Sequence, residues 1–172
     1  MFGMDLQVAY MATLHDETIQ PYMIDCDWAS YATLKRFRRE ESANYYDVMR
    51  VLVVDDSRMN RMMVVLHLKE FGIEDISQAC NGLEAVHAVE ARMIGEHDDK
   101  PFDIIFMDCM MPVMGGNEAI TRIRGLGYAG AIVSVTGNGL PEDVSEIMSC
   151  GADRVLVKPV NEDTLRAAIS GE

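Results

Sequence analysis

The sequence of 172 residues contains few cysteines and offers no clear pairing for them. Cys26, Cys80, Cys109 and Cys150 are far apart and form no CxxC pair, which argues against a zinc site of the usual spacing and against a dense disulfide framework. Free thiols are typical of a reducing compartment. We therefore expect the protein in the cytoplasm, or in the nucleus and cytoplasm of a eukaryote.

Positive charge and long hydrophobic runs are also scarce. The chain has 15 Lys and Arg against 28 Asp and Glu, a net charge of −13. Because this charge repels phosphate backbones, we expect no direct binding to nucleic acid. The apolar runs at 51–54 and 104–107 are far shorter than the ~20 residues needed to cross a bilayer. No charged stretch followed by an apolar stretch opens the sequence, so we expect neither a membrane span nor secretion.

A change of pattern near residue 48 divides the chain. Residues 49–172 alternate apolar runs with amphipathic stretches, whereas residues 1–48 show no such order. We predict one folded domain at 49–172, preceded by a short N-terminal extension at 1–48 that is partly helical or flexible and whose role is unknown. Within the extension, four apolar residues at helical spacing suggest an edge that docks on the domain or on a partner: Trp28, Tyr31, Leu34 and Phe37.

Short apolar runs predict strands at residues 51–54, 102–107, 131–135 and 154–157, and a weaker pattern predicts a further strand at 75–79. Each run is followed by an amphipathic stretch that predicts a helix. This alternation predicts an α/β fold with a doubly wound, five-stranded parallel sheet covered by helices on both faces.

Capping residues mark where several of these helices begin. Asn81 and Asn161 precede two of them, and Pro141 occupies the first position of another. Ser57 caps the first helix. The spacing i, i+3, i+4, i+7 predicts that the buried face of this helix consists of Met59, Met62, Met63 and Leu66.

In such a sheet, functional residues lie beyond the carboxyl ends of the strands. The polar residues at those positions are Asp55, Asp56, Asp108, Thr136 and Lys158. If the first and third strands are neighbours, three carboxylates converge, and two of them 4 Å apart repel by ~4 kcal/mol. A hard cation such as Mg²⁺, which prefers oxygen ligands, relieves this repulsion. A carboxylate flanked by a cation, a lysine and a hydroxyl is suited to receiving a phosphoryl group.

Five motifs follow one another in the second part of the chain: VLVVDDSRMNR at 51–61, CNGLEAV at 80–86, FDIIFMDCMMPVMGG at 102–116, VSVTGN at 133–138 and CGADRVLVKP at 150–159. Together they resemble the receiver domain of response regulators in two-component phosphorelays, of the kind attached to hybrid histidine kinases. The resemblance covers about residues 50–170. It implies a flavodoxin-like (βα)5 fold with strand order 2-1-3-4-5.

The resemblance also implies a phosphoacceptor and a Mg²⁺ site. Asp108 matches the phosphoacceptor, which also contacts the metal. Asp56 matches the direct metal ligand and Asp55 the carboxylate that acts through water, while Met110 would supply its backbone carbonyl.

The same resemblance implies three groups that contact the phosphoryl oxygens. Thr136 matches the hydroxyl that moves toward the phosphoryl group, and Gly137 would donate its backbone N–H. Lys158 matches the lysine that pairs with the acceptor, and a cis bond to Pro159 would aim it into the crevice. One departure concerns Val155, which stands where receivers usually have an aromatic residue coupled to the threonine.

The resemblance implies a phosphoacceptor signalling module and not an enzyme, apart from promoting its own phosphorylation and dephosphorylation. A histidine kinase or a histidine phosphotransfer protein would donate the phosphoryl group. Only fourteen residues follow Lys158. We therefore expect output through a downstream protein partner that the sequence does not identify.

Two other functional classes stay open from the sequence. An aspartate-nucleophile phosphatase would need a second aspartate two residues after the nucleophile, where Met110 stands. A receiver-like interaction domain without phosphorylation usually lacks one of the acids or the lysine, and this chain has them all.

Overall fold

The computed structural model describes residues 48–95 and 100–171, so the predicted extension at 1–48 lies outside the described residues except for Val48. Within them, five strands alternate with five helices: β1 (Arg50–Val54), α1 (Arg58–Glu70), β2 (Asp75–Ala79), α2 (Gly82–Ile94), β3 (Ile104–Asp108), α3 (Gly116–Gly125), β4 (Ala131–Thr136), α4 (Pro141–Ser149), β5 (Arg154–Val157) and α5 (Glu162–Ser170). No helix in this part of the chain has the length and apolar character that a membrane crossing requires.

The five strands form one parallel sheet in the order β2-β1-β3-β4-β5. β1 pairs with both β2 and β3, and Val54 lies opposite Met107 at the carboxyl end of the β1–β3 pair. The predicted fold class and strand order are therefore confirmed. Because β1 and β3 are neighbours, the residues that follow them meet at one edge of the sheet.

Helices cover both faces of the sheet. In β1, Leu52 and Val54 pack in a cluster with side chains of α2, α3 and α4, whereas Val51 and Val53 pack on the opposite face with side chains of α1 and α5. Successive side chains of a strand point to opposite faces, so a strand covered on both sides is apolar at every position. This requirement explains the continuous apolar runs of the sequence.

The predicted capping residues begin their helices. The side chains of Ser57, Asn81 and Asn161 each accept a hydrogen bond from a backbone N–H in the first turn of α1, α2 and α5, respectively. Pro141 is the first residue of α4. These helices begin shortly after their strands end, so their first turns border the carboxyl edge of the sheet.

The buried face predicted for α1 is wrong. The four residues that we expected to be buried are instead 46–62% exposed: Met59, Met62, Met63 and Leu66. Leu68 is fully buried instead, and Val64 and Val65 pack partly against the same cluster. Helix α1 therefore carries two apolar stripes, and the sheet covers only one of them. We call the exposed set, Met59, Met62, Met63 and Leu66, the α1 stripe.

Candidate functional site

The carboxyl edge of the sheet brings together the polar residues that follow β1 and β3. Asp55 directly follows β1, and Asp108 is the last residue of β3. Both are buried, at 6% and 4% exposure, whereas Asp56 is exposed. One carboxylate oxygen from each of the three residues lies within 4.8 Å of the others. The edge is therefore a small acidic crevice with two buried walls and one side open to solvent.

The three carboxylates suit a small divalent cation. Mg²⁺ binds oxygen ligands at about 2.1 Å, so two ligand oxygens on opposite sides of the ion are about 4.2 Å apart. The observed spread of at most 4.8 Å needs only a small contraction to reach that geometry. Asp55, Asp56 and Asp108 are therefore a donor set of the right chemistry and nearly the right spacing.

Lys158 supplies the balancing positive charge. Its Nζ lies 3.0 Å from Asp55 Oδ2 and 3.0 Å from Asp108 Oδ1, so one ammonium group bridges both buried carboxylates. Its backbone N–H donates to the Thr136 carbonyl at 2.7 Å, and its peptide bond to Pro159 is cis, as the resemblance implied. Burial alone would lower the pKa of Lys158, but its hydrogen bonds to Asp108 and Asp55 raise the pKa above the usual value.

The Asp108 carboxyl holds a proton more tightly in the folded protein than a carboxyl does in water. Burial raises the pKa of Asp108, and the nearby charge of Asp55 adds to the rise. Hydrogen bonds from Lys158 and from the Met110 backbone N–H oppose the shift. Each further positive charge that reaches the crevice stabilises the ionised form of this carboxylate.

Asp55 is held by two residues that the sequence analysis did not single out. Asn60 Nδ2 lies 3.1 Å from each Asp55 carboxylate oxygen, and the Ser57 backbone N–H donates to Oδ1 at 2.8 Å. Arg61 donates to the Asp55 carbonyl at 2.5 Å. Both residues lie in the DDSRMNR motif, so position in the motif was the available signal. Asn60 thus orients the Asp55 carboxylate, whereas Arg61 holds the Asp55 backbone.

The hydroxyl expected at the end of β4 lies beside the crevice. Thr136 is buried, and its Oγ1 accepts a hydrogen bond from the Asn138 backbone N–H at 3.1 Å. Next to it, Cys109 Sγ lies 3.0 Å from Ser134 Oγ. Burial raises the pKa of the Cys109 thiol, which disfavours the reactive thiolate.

The remaining predicted residues lie on the loops that rim the crevice. Gly137 directly follows β4 and is exposed, and Met110 is 80% exposed on the loop after β3.

Val155 pairs with Ser134 in the β4–β5 register and packs only partly against the cluster beneath α4. A small aliphatic side chain therefore occupies the place of the usual aromatic residue.

The fold and the crevice together define a phosphoacceptor signalling domain of the receiver class. A family model for the response regulator receiver domain matches residues 51–170. The rice (Oryza sativa subsp. japonica) two-component response regulator ORR41 is 40% identical over 119 residues, which cover 69% of this chain and 89% of that protein. The histidine kinase CKI1 of Arabidopsis thaliana is 37% identical over 123 residues, covering 66% of this chain but only 11% of the kinase.

Solved structures agree with these matches. The receiver domain of CKI1 complexed with Mg²⁺ and BeF₃⁻ superimposes with a TM-score of 0.61 at 34% identity, covering 73% of this chain and 93% of that chain. The Vibrio cholerae chemotaxis protein CheY4 gives a TM-score of 0.62 at 34% identity, covering 72% and 97% of the two chains. The chain belongs to the response regulator receiver domain family. Its function is that of a phosphoacceptor domain in two-component signalling, which sets aside the phosphatase and the non-phosphorylated alternatives.

Proposed function

We propose that Asp108 receives a phosphoryl group from a phosphohistidine. The observation that carries this proposal is the buried Asp108 carboxylate, held 3.0 Å from the Lys158 ammonium beside two further acids. A carboxylate oxygen attacks the phosphorus atom, the P–N bond breaks, and its electron pair returns to the imidazole nitrogen. Such a transfer depends mainly on positioning and on neutralising the phosphoryl oxygens, which this crevice is built to do.

Asp55, Asp56 and Asp108 are the proposed Mg²⁺ ligands, with Asp55 acting through water and the Met110 carbonyl completing the set. These residues would hold a Mg²⁺ ion, whose charge would offset that of the phosphoryl oxygens. Asn60 contributes by keeping Asp55 oriented toward the crevice. The exposed Asp56 lies on the open side, from which both cation and phosphodonor arrive.

Lys158, Thr136 and Gly137 are the proposed contacts of the phosphoryl oxygens. Lys158 bridges two carboxylates, and transfer to Asp108 puts phosphoryl oxygens within its reach. The Thr136 hydroxyl and the Gly137 N–H border the crevice from β4. The same groups would promote both the phosphorylation of the domain and the later hydrolysis of its acyl phosphate.

The proposed donor is a histidine kinase or a histidine phosphotransfer protein. Support comes from the names of relatives such as the yeast osmosensing histidine protein kinase SLN1, of which the matched part is 10% of the protein. The output would pass through a protein partner. A reducing compartment, the cytoplasm or the nucleus and cytoplasm, is consistent with the free thiols of Cys80, Cys109 and Cys150.

Phosphorylation by a small donor tests this function. Acetyl phosphate with Mg²⁺ should raise the intact mass by one phosphoryl group, because the crevice supplies each group that the transfer requires. EDTA should abolish the gain, and so should Asp108→Asn, while Asp163→Asn, at an exposed acid on α5, should leave it unchanged. Equal labelling of the Asp108→Asn protein would rule out the assignment.

A second prediction concerns Mg²⁺ and stability. The three acids repel one another without a cation, so Mg²⁺ that binds only the folded state should stabilise it by about 2.7 kcal/mol at a hundredfold excess over Kd. Asp56→Asn should raise the melting temperature of the metal-free protein and weaken the Mg²⁺ response, as measured by thermal unfolding. An unchanged Mg²⁺ shift in that variant would place the ligand elsewhere.

A third prediction concerns the domain boundary, for which we propose 49–172. The described residues include two buried hydrophobic clusters and the three acids of the crevice, so we expect a 48–172 fragment to unfold cooperatively and to accept a phosphoryl group. Hydrogen exchange on the fragment should also show only modest changes near Val155 with beryllofluoride, because valine cannot swing as a large ring does. Loss of cooperative unfolding, or strong changes across the Val155 face, would contradict these expectations.

A further inference from the structure

Helix α1 carries an apolar surface that no described residue covers. The α1 stripe follows the spacing i, i+3, i+4, i+7, so its four side chains lie on one face, and each is 46–62% exposed. Single exposed apolar side chains are ordinary on protein surfaces, but a contiguous row marks a contact surface. The row begins at Met59, three residues after Asp56, so it borders the crevice.

Positive charges lie along one side of the stripe. Arg58 and Lys69 are exposed, and neither forms an ion pair with another described residue. Helix α1 has three Lys and Arg against one acid, within a domain of eleven against twenty. The surface thus combines apolar side chains with positive charge, and it suits an apolar and acidic occupant.

Residues 1–34 have that composition. They contain five Asp and Glu and no Lys or Arg, and 20 of the 34 are hydrophobic, among them the single Trp of the chain, Trp28. The two clusters identified in the core of the domain consist of described residues. Leaving so many apolar side chains in water is unfavourable, since each Å² of exposed apolar surface costs about 25 cal/mol of free energy.

The chain joins the domain at the C-terminal end of α1, on the buried side of that helix. Met49, only 4% exposed, packs in one cluster with Leu68 and Phe71 at the C-terminal end of α1. The α1 stripe begins at Leu66, two residues before Leu68, and runs ~10 Å back along the helix to Met59, at 1.5 Å per residue. The tether gives residues 1–34 an effective concentration on the order of 1 mM at the stripe. A second copy of the chain at micromolar concentration would therefore compete poorly for the same surface.

We propose that residues 1–34 dock on the α1 stripe of their own domain, with their acids facing Arg58 and Lys69. This contact does not depend on the proposed function.

Methionine oxidation of the full chain tests the contact, with an internal reference. Met148 on α4, on the opposite face of the sheet, is 43% exposed, close to 46% for Met62 and 47% for Met63. With an effective concentration of 1 mM and a Kd near 0.1 mM, docking should slow the oxidation of Met62 and Met63 about tenfold relative to Met148. Similar rates for the three methionines by mass spectrometry would overturn the proposal, even if Asp108 is phosphorylated as expected.

Two further arms identify the occupant. Neutralising the acids by Asp16→Asn, Glu17→Gln, Asp25→Asn and Asp27→Asn together should remove the protection, whereas the matched control Glu40→Gln with Glu41→Gln should keep it. Carbodiimide should join Lys69 to an acid of residues 1–34 within one chain. Protection that survives in the neutralised variant, or that grows with protein concentration and joins two chains, would overturn the proposal.

Discussion

Replacing Lys158 with methionine should destabilise the metal-free protein by about 3 kcal/mol, at the low end of the cost of removing one partner from a buried charge pair. Counted for the side chains alone, Asp55 and Asp108 are 9% and 5% exposed, so neither carboxylate can regain full hydration when the ammonium is lost. For a domain of this size the melting temperature should fall by about 10 °C. Lys100→Met, at an exposed lysine, is the matched control and should change little.

The pH dependence of this loss follows from Asp108. Its pKa is raised, first by burial and then by the charge of Asp55, so the folded state binds this proton more tightly than the unfolded chain. The associated stability is fully present below the ordinary value of 3.8 and is lost as the pH rises through the raised pKa. In Lys158→Met the lysine no longer opposes the rise. The deficit should therefore shrink at acidic pH and with Mg²⁺, and a deficit independent of both would contradict the role of Lys158.

Gly116→Ala should have a comparably large effect for a steric reason. A Cβ at Gly116 would lie 2.2 Å from the Asp108 carbonyl oxygen and 2.9 Å from Cys109 Cα, both backbone atoms. Relieving that overlap must move either the start of α3 or the segment that carries the phosphoacceptor, at a cost of about 3 kcal/mol. We expect lower thermal stability together with slower phosphorylation by acetyl phosphate.

The control for this substitution lies at the other end of the same helix. A Cβ at Gly125 would have no atom within 4 Å, so Gly125→Ala should be neutral or stabilising by about 0.5–1 kcal/mol. Chemical denaturation of both variants measures the difference. Equal stability of Gly116→Ala and Gly125→Ala would show that the loop after β3 adapts freely, contrary to the packing described above.

The sheet could be predicted from the sequence chiefly because its central strands β1, β3 and β4 are covered on both faces and are therefore largely apolar. β2 and β5 were predicted with their observed bounds, and the other three strands to within two residues at either end. The convergence of Asp55 and Asp108 followed from the neighbouring positions of β1 and β3. The polar residues of the motifs follow the carboxyl ends of the strands. In a parallel sheet these ends all lie at the same edge, so the polar residues could be predicted to meet there.

The orientation of α1 could not be predicted in the same way. Its sequence has apolar residues on two sides, so periodicity alone fits either the α1 stripe or the side of Val64, Val65 and Leu68. What decides is packing with residues distant in sequence: Leu68 lies in one cluster with Leu165 of α5. The roles of Asn60 and Arg61 were missed for a related reason, because hydrogen bonds to Asp55 depend on the turn between β1 and α1.

The most direct test of the central claim is to locate the phosphoryl group by chemical trapping. After reaction with acetyl phosphate and Mg²⁺, borodeuteride reduces an acyl phosphate to an alcohol, which converts a phosphorylated aspartate into deuterated homoserine. Peptide mass spectrometry should find homoserine at position 108 and leave Asp55 and Asp56 unchanged. Homoserine at position 55 or 56, or a phosphoryl mass gain without homoserine at 108, would contradict the account.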